Sequence, residues 1–234
     1  FLKKAVGFLK DDGLLVLAIE NQLGLKYWNG TPEDHSGILY EGICGYSYTK
    51  SARTFSRNEI KRLLSKAGLG HVDEYFPFPD YKIPSSVLSA EFIENYPETA
   101  GEIAATKPFQ SFNLPRSPLF PDRLATVSVA KSGLLKDLSN SFLFVGAKNA
   151  ESRTRQTFLG KHISDRELAW HYSLARTPPV CTEFFLERDS SVLQVRKRAI
   201  GQCGPNASGI VGDVSWRQPP VSPVIKGDTL QLVL

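Results

Sequence analysis

Apolar residues in this chain fall into short, sharply bounded runs. Leu14-Leu15-Val16-Leu17-Ala18-Ile19 is unbroken and stops at Glu20-Asn21. A run that short and that apolar predicts a strand buried on both faces, as in a parallel sheet. Just before it, Phe1, Leu2, Ala5, Val6, Phe8 and Leu9 recur near the helical period, with Lys3, Lys4 and Lys10 on the remaining face. That spacing predicts a helix over 1–10. Asp11-Asp12-Gly13 is the turn between the two. Helix, tight turn and buried strand together form the second half of an αβ crossover.

Residues 21–52 are Gly-rich, aromatic and polar, with no clean period. A connection of that length inside a compact domain reads as a lid or a binding loop. Ser56 with Glu59 is a capping box. Ile60, Leu63, Leu64 and Ala67 form the stripe of an amphipathic helix, and Gly68 ends it as the residue after the C-cap. His71 to Phe78 alternates and predicts a strand. Pro79-Asp80-Tyr81-Lys82-Ile83-Pro84 ends it in extended backbone. A short helix over 88–95, Pro-rich loops to 120 and a helix over 121–137 follow, the last weakened by Val127, Val129 and Gly133. Residues 141–147 (SFLFVGA) read as another buried strand.

After Lys148 the texture changes. The first domain is placed at 1–148, a polar linker at 149–156 and a second module at 157–234. Phe184-Phe185-Leu186 and Val192-Leu193-Gln194-Val195 flank Arg188-Asp189-Ser190-Ser191, a hairpin signal. No internal repeat is present.

Composition narrows the class. At 234 residues there is room for one large domain or one and a half ordinary ones. A hydrophobic share of 41% with 22% charged residues excludes disorder of the whole chain. The net charge of +4 is spread out, and no Lys/Arg run reads as a nucleic-acid patch. No apolar run approaches the ~20 residues of a membrane span. Cys44, Cys181 and Cys203 are widely spaced and odd in number, which suits a reducing cytoplasm. His162, His171, Cys181 and Cys203 match no zinc spacing, so no metal site is expected.

Ligands of open α/β sheets bind at the carboxyl ends of the strands. Glu20 and Asn21 are therefore either a polar site wall or a strand-ending turn. Glu33, Asp34 and His35 lie in the following loop, and a His beside carboxylates suits a general base; the alternative is a solvated loop. Tyr27 and Trp28 either face an acceptor or pack in the core. Arg53, Thr54 and Ser56 start the capped helix and serve as an anion site or simply as its cap. Asp80, Tyr81 and Lys82 line a cleft or form a rigid turn. Cys44 reads as a small hydrophobe.

The element order over 1–148 resembles the C-terminal half of a class I S-adenosylmethionine-dependent methyltransferase. Leu9-Lys10-Asp11-Asp12-Gly13 stands where that family has an LKPGG-like turn before its fifth strand. Glu20-Asn21 matches the polar pair ending that strand, and Thr54–Gly70 matches the capped helix and "GF"-like turn. The final antiparallel pair falls on 71–78 and 141–147. AIENQLGLKYWNG, PEDHSG, RTFSRNEI and FPFPDYKIP are similar to a subgroup found in bacterial multidomain proteins of surface-polysaccharide synthesis.

The resemblance implies an α/β, Rossmann-like sheet with a small β-rich C-terminal segment, and methyl transfer from S-adenosylmethionine to a saccharide or other small acceptor. It puts Glu20 and Asn21 beside the cofactor and His35 and Asp34 in the chemistry. It puts Tyr27, Trp28, Glu33, Arg53, Asp80, Tyr81 and Lys82 at the acceptor. The family's glycine-rich turn and its acidic ribose partner lie nowhere in the chain. The resemblance therefore implies an N-terminally truncated sheet whose missing half-domain precedes Phe1, and a chain that alone holds the cofactor poorly. Val195-Arg196-Lys197 is similar to the nucleotide-binding lysine strand of kinase-like lobes, but no Gly-rich loop precedes it and no HRD or DFG follows. A kinase- or glycosyltransferase-associated module and a non-catalytic scaffold stand as alternatives.

Overall fold

The computed structural model describes residues 1–48, 52–109, 111, 117–149, 166–186 and 191–200. Its elements are α1 (Leu2–Gly7), β1 (Leu14–Glu20), α2 (Leu25–Trp28), α3 (Arg57–Lys66), β2 (His71–Phe78), β3 (Ser86–Ser89), α4 (Ala90–Asn95), α5 (Pro97–Ala104), α6 (Asp122–Lys131), α7 (Leu135–Leu138), β4 (Ser141–Ala147), β5 (Arg166–Ser173), β6 (Val180–Leu186) and β7 (Leu193–Ala199). The architecture is α/β. One open seven-stranded sheet runs in the order β1-β4-β2-β3-β5-β6-β7.

Every pairing in this sheet is antiparallel. The parallel setting expected for β1 is therefore not what surrounds it. Its neighbour is β4, with Leu14 opposite Ala147 and Glu20 opposite Ser141. The antiparallel pairing of 71–78 with 141–147 is present as expected, His71 facing Ala147. β1 and β2 are both antiparallel to the β4 strand between them, so they run in the same direction and end on the same side of the sheet.

The helices gather on one face. Val6 of α1, Ile60 and Leu64 of α3, Phe92 of α4, Ile103 of α5, Ala130 of α6 and Leu135 of α7 join a single core. Alternate strand residues supply its floor: Leu15, Leu17 and Ile19, then Phe142 and Phe144, then Phe76 and Phe78, then Leu88 and Phe184. Period-two alternation makes this possible, and it sends Val16 and Ala18 to the other face. There Val16 is 48% exposed and Ala18 is exposed. β1 is thus not buried on both faces. Among the described residues it has a pairing partner on one side only and helices over one face only.

Residues 166–200 extend the same sheet rather than forming a core of their own. Leu168, Ala169, Phe184, Leu186 and Leu193 belong to the core just described. Of the linker expected at 149–156, all but Asn149 lies outside the described residues. β5, β3 and α5 carry no clear sequence signal, and 121–137 splits into α6 and α7 at Gly133, whose φ of +73° breaks the helix. The helix α3 ends as expected, with Gly68 at φ +99°. Its capping box does not form: Ser56 holds the N-cap backbone position but its side chain accepts no cap bond, and Glu59 pairs with Arg53.

Candidate functional site

The common end of β1 and β2 collects charged side chains from three segments: the end of β1, the loop through α2, and the 79–84 connection. Glu20 closes β1 and is 7% exposed. Its Oε1 accepts from Lys82 Nζ at 2.8 Å and from the Tyr81 hydroxyl at 3.1 Å. Lys82 also lies 3.6 Å from Asp34 Oδ1. Asp34 Oδ2 accepts from Lys26 Nζ at 2.7 Å and from the Tyr27 hydroxyl at 2.5 Å. Lys26 reaches Asp80 Oδ2 at 3.3 Å, and Asp80 Oδ1 caps the backbone N–H of Lys82. Two lysines, three carboxylates and two tyrosines therefore form one continuous network.

Lys26 is the pivot. Its side chain is fully buried, and its ammonium lies 4.9 Å from the ring centroids of both Tyr27 and Phe109. A buried ammonium persists only when paired, and here two carboxylates and two aromatic faces share that task. Sequence reasoning passed over this residue. The only signal is a lone cation inside the apolar turn Leu25-Lys26-Tyr27-Trp28, just ahead of a carboxylate-rich loop.

The network sets its own protonation states. Burial raises the Glu20 pKa, but the Lys82 hydrogen bond and charge outweigh it, so the carboxyl lies below its ordinary value. Burial acts the same way on Asp34 and is overcome by the Lys26 charge and by bonds from Lys26 and Tyr27. Burial would lower Lys82, yet its bond to Glu20 and the nearby Asp34 charge raise it. Burial followed by the Glu20 charge pushes the Tyr81 hydroxyl up to about 12. At neutral pH Lys82 is therefore ammonium, Glu20 and Asp34 are carboxylates, and the Tyr27 and Tyr81 phenols are protonated. Lys82 and Tyr81 are then donors, and Asp34 and Glu20 are acceptors. Lys82, with a side chain 40% exposed, is the member most open to solvent.

Other predicted residues take different places. Asn21 is wholly buried and structural. Its amide nitrogen donates to the carbonyls of Asp137 and Ser139, both at 2.7 Å, and its side-chain oxygen accepts from Leu23 N–H. Glu33 holds the loop, accepting the backbone N–H groups of His35 and Ser36 and the Tyr46 hydroxyl. Thr54 is buried against that same hydroxyl. His35 is exposed, and it is its backbone rather than its ring that joins this turn. Trp28 is 44% exposed, its indole N–H reaching the Leu23 carbonyl at 3.3 Å. Arg53 stacks over Phe55 and pairs with Glu59, outside the network. Lys197, the lysine of the kinase-like comparison, is exposed on β7.

Two asparagines that carried no sequence signal lock the loops around the site. Asn140 accepts from Lys26 N–H and donates to the Pro79 carbonyl, tying α2 to the turn that presents Asp80. Asn29 receives the N–H groups of Leu119 and Phe120 and donates to Asp122. Gly30 beside it has φ +80°, and an added Cβ there would sit 2.8 Å from the Ser117 carbonyl oxygen.

The described residues do not fit S-adenosylmethionine by themselves. Asn21 has no amide hydrogen left to offer. The neighbouring cleft, lined by Leu25, Phe78, Pro79, Lys107 and Leu138, has a volume of about 30 Å³. That is room for a water or two. Among the described residues no cluster of His, Cys, Asp and Glu could hold a metal ion, and no helix is long and apolar enough to cross a membrane.

No known protein family, curated protein or solved structure matches the chain.

Proposed function

We propose that this chain is the acceptor-side part of an S-adenosylmethionine-dependent methyltransferase acting on a saccharide or similarly hydroxylated small molecule. One observation carries the reading. β1 and β2 run the same way around an antiparallel β4, and their shared end holds the Glu20–Tyr81–Lys82–Asp34 network. That order agrees with the fifth, seventh and sixth strands of the family the sequence resembles. The sheet end is also where open α/β sheets take ligands.

The chain's own residues then bind and orient. Lys82 donates its remaining ammonium hydrogen to an acceptor oxygen, and the Asp34 and Glu20 carboxylates, which have lone pairs beyond those their partners use, accept from its hydroxyls. Orientation of this kind is a large part of what a transferase contributes. Asp34, held ionised by Lys26, is a weak base but a firm hydrogen-bond acceptor. In this reading the donor side lies beyond the described residues, against the edge of β1 that has no strand partner among them. A non-catalytic binding module is the rival reading, favoured by the fact that Glu20, Asp34 and Asp80 are all already paired.

A transfer assay separates the two. A longer polypeptide, extended upstream of Phe1, is incubated with methyl-labelled S-adenosylmethionine and a panel of saccharides. Label transfer that falls at least about tenfold in Glu20→Gln and Lys82→Ala is expected, since these groups orient the acceptor. Acceptor binding without any transfer would leave the scaffold reading standing and remove this one.

A further inference from the structure

The ladder joining β3 to β5 is the shortest in the sheet. It pairs Ser86 with His171, Val87 with Trp170 and Leu88 with Ala169, against seven pairs between β5 and β6. It is the seam along which β5-β6-β7 attach to β1-β4-β2-β3. His171 sits in this seam with Ser86 opposite on β3 and Thr182 opposite on β6. Ser86 is wholly buried and Thr182 is 9% exposed. Both the Ser86 hydroxyl and His171 Nδ1 are buried without a hydrogen-bond partner among the described residues.

Such orphaned polar atoms in a sheet interior carry an unpaid desolvation cost and mark a place where the structure is not at its most stable. Neither cross-strand neighbour is a carboxylate. The charged groups that act on His171 are Lys107 and Arg176, both positive. The ion pair between Arg166 and Glu91 also crosses from β5 to α4, but it stands at the opposite end of β5. A proton added to His171 thus meets repulsion from two cations and gains no counter-charge.

We propose that His171 makes the β3–β5 seam a pH-sensitive joint, so that mild acid loosens β5-β6-β7 from the rest of the sheet while β1, β4 and β2 stay paired. The opening is local, of the kind that sheets show along their weakest ladders. The direction follows from linkage. Burial, then the Lys107 and Arg176 charges, hold the folded imidazole below its ordinary value. The opened state therefore binds the proton better. The seam is at full strength above about pH 6.5, the ordinary imidazole value, and weakens as pH falls below it.

Amide exchange of the whole chain, corrected for the intrinsic pH effect, tests this between about pH 7.5 and pH 5.5, the window in which a histidine switches. The expected result is a several-fold loss of protection at Ala169, Trp170 and His171 in mild acid, with the β1–β4 amides unchanged. The loss must set in near the ordinary imidazole value and level off where the His171 ring signals titrate in NMR, a comparison made on the unsubstituted chain. In His171→Asn or His171→Gln the pH dependence should disappear. Parallel loss in both parts of the sheet, a loss that keeps growing at pH values below the His171 ring titration, or retention of the effect in a folded His171→Asn chain would each overturn the proposal.

Discussion

The two outer strands of the sheet carry opposite kinds of charge cluster. Beside β1 a lysine is held between two carboxylates, Asp34 and Asp80. Beside β7 a carboxylate is held between two arginines: Glu183 Oε2 accepts from Arg196 at 2.8 Å and from Arg198 at 2.5 Å. The β7 cluster is a cross-strand ladder, since Glu183 faces Arg196 and Cys181 faces Arg198 in register, and such pairs stabilise sheets. The β1 cluster owes nothing to register. Its members come from a strand end and two loops, and only tertiary folding brings them together. Charges collected from loops at a strand's carboxyl end are where ligands are held, whereas charges laid along a ladder are where a sheet is held.

The edges differ as well. β7 shows Arg196, Lys197 and Arg198, a basic edge of the type that resists pairing with another strand. β1 reads Leu-Leu-Val-Leu-Ala-Ile and shows no charge before Glu20. Among the described residues one outer strand is basic and the other apolar.

The comparison breaks most visibly at its two pivots. Lys26→Met leaves the buried Asp80 without its cation and half-buried Asp34 with Lys82 alone, and should cost about 3–5 kcal/mol in urea unfolding. Glu183→Ala leaves two arginines that still reach solvent, and should cost about 1.5–3 kcal/mol, the value of hydrogen bonds to charged groups. Equal losses would remove the distinction between a buried pivot and a ladder pair.

Acid sharpens the same contrast on a smaller scale. Glu20 and Asp34 have folded pKa values below their ordinary ones. Their contribution is complete above about pH 4.5 and is lost as pH falls through the folded values. Stability measured from pH 5 downward should therefore fall less steeply in Asp34→Asn than in the parent chain. An identical slope would place the acid-sensitive groups elsewhere, with Glu74 the next candidate: burial raises its pKa, but Arg57 and Lys61 bring it lower still.

The smallest effect on stability is expected at the edges. Val16→Lys should change unfolding by no more than about 0.5 kcal/mol yet reduce self-association in light scattering, because it guards an apolar edge. Lys197→Val should increase association from the β7 side. If Val16→Lys leaves association unchanged, the β1 edge is not the sticky one.

Much of the fold was legible. The apolar runs at 14–19 and 141–147 announced β1 and β4, and the alternation over 71–78 announced β2. The stripe Ile60-Leu63-Leu64-Ala67 and Gly68 announced α3. β3 was not legible, because Ser86-Val87-Leu88-Ser89 is short, half polar and buried by its neighbours rather than by its own composition. The site was half legible. Glu20, Asp34, Asp80, Tyr81 and Lys82 stood out as polar residues at strand ends, and they do meet. His35 was attractive for its chemistry, but it sits exposed at a turn that Glu33 organises. Asn21 carried a site-like position and proved to be a clamp on the 137–139 turn. Lys26 was hidden because the meeting of Asp34 and Asp80 around it depends on loops whose paths are set by Asn29 and Asn140.

The claim that this chain is the acceptor side of a methyltransferase is tested most directly by calorimetric titration with S-adenosylmethionine. The titration is run on this chain and on a polypeptide extended upstream by ~100 residues, a length of the order of an ordinary domain. The account predicts no binding heat from the chain alone and saturable one-to-one binding by the longer polypeptide. Absence of binding by a folded longer polypeptide would contradict it.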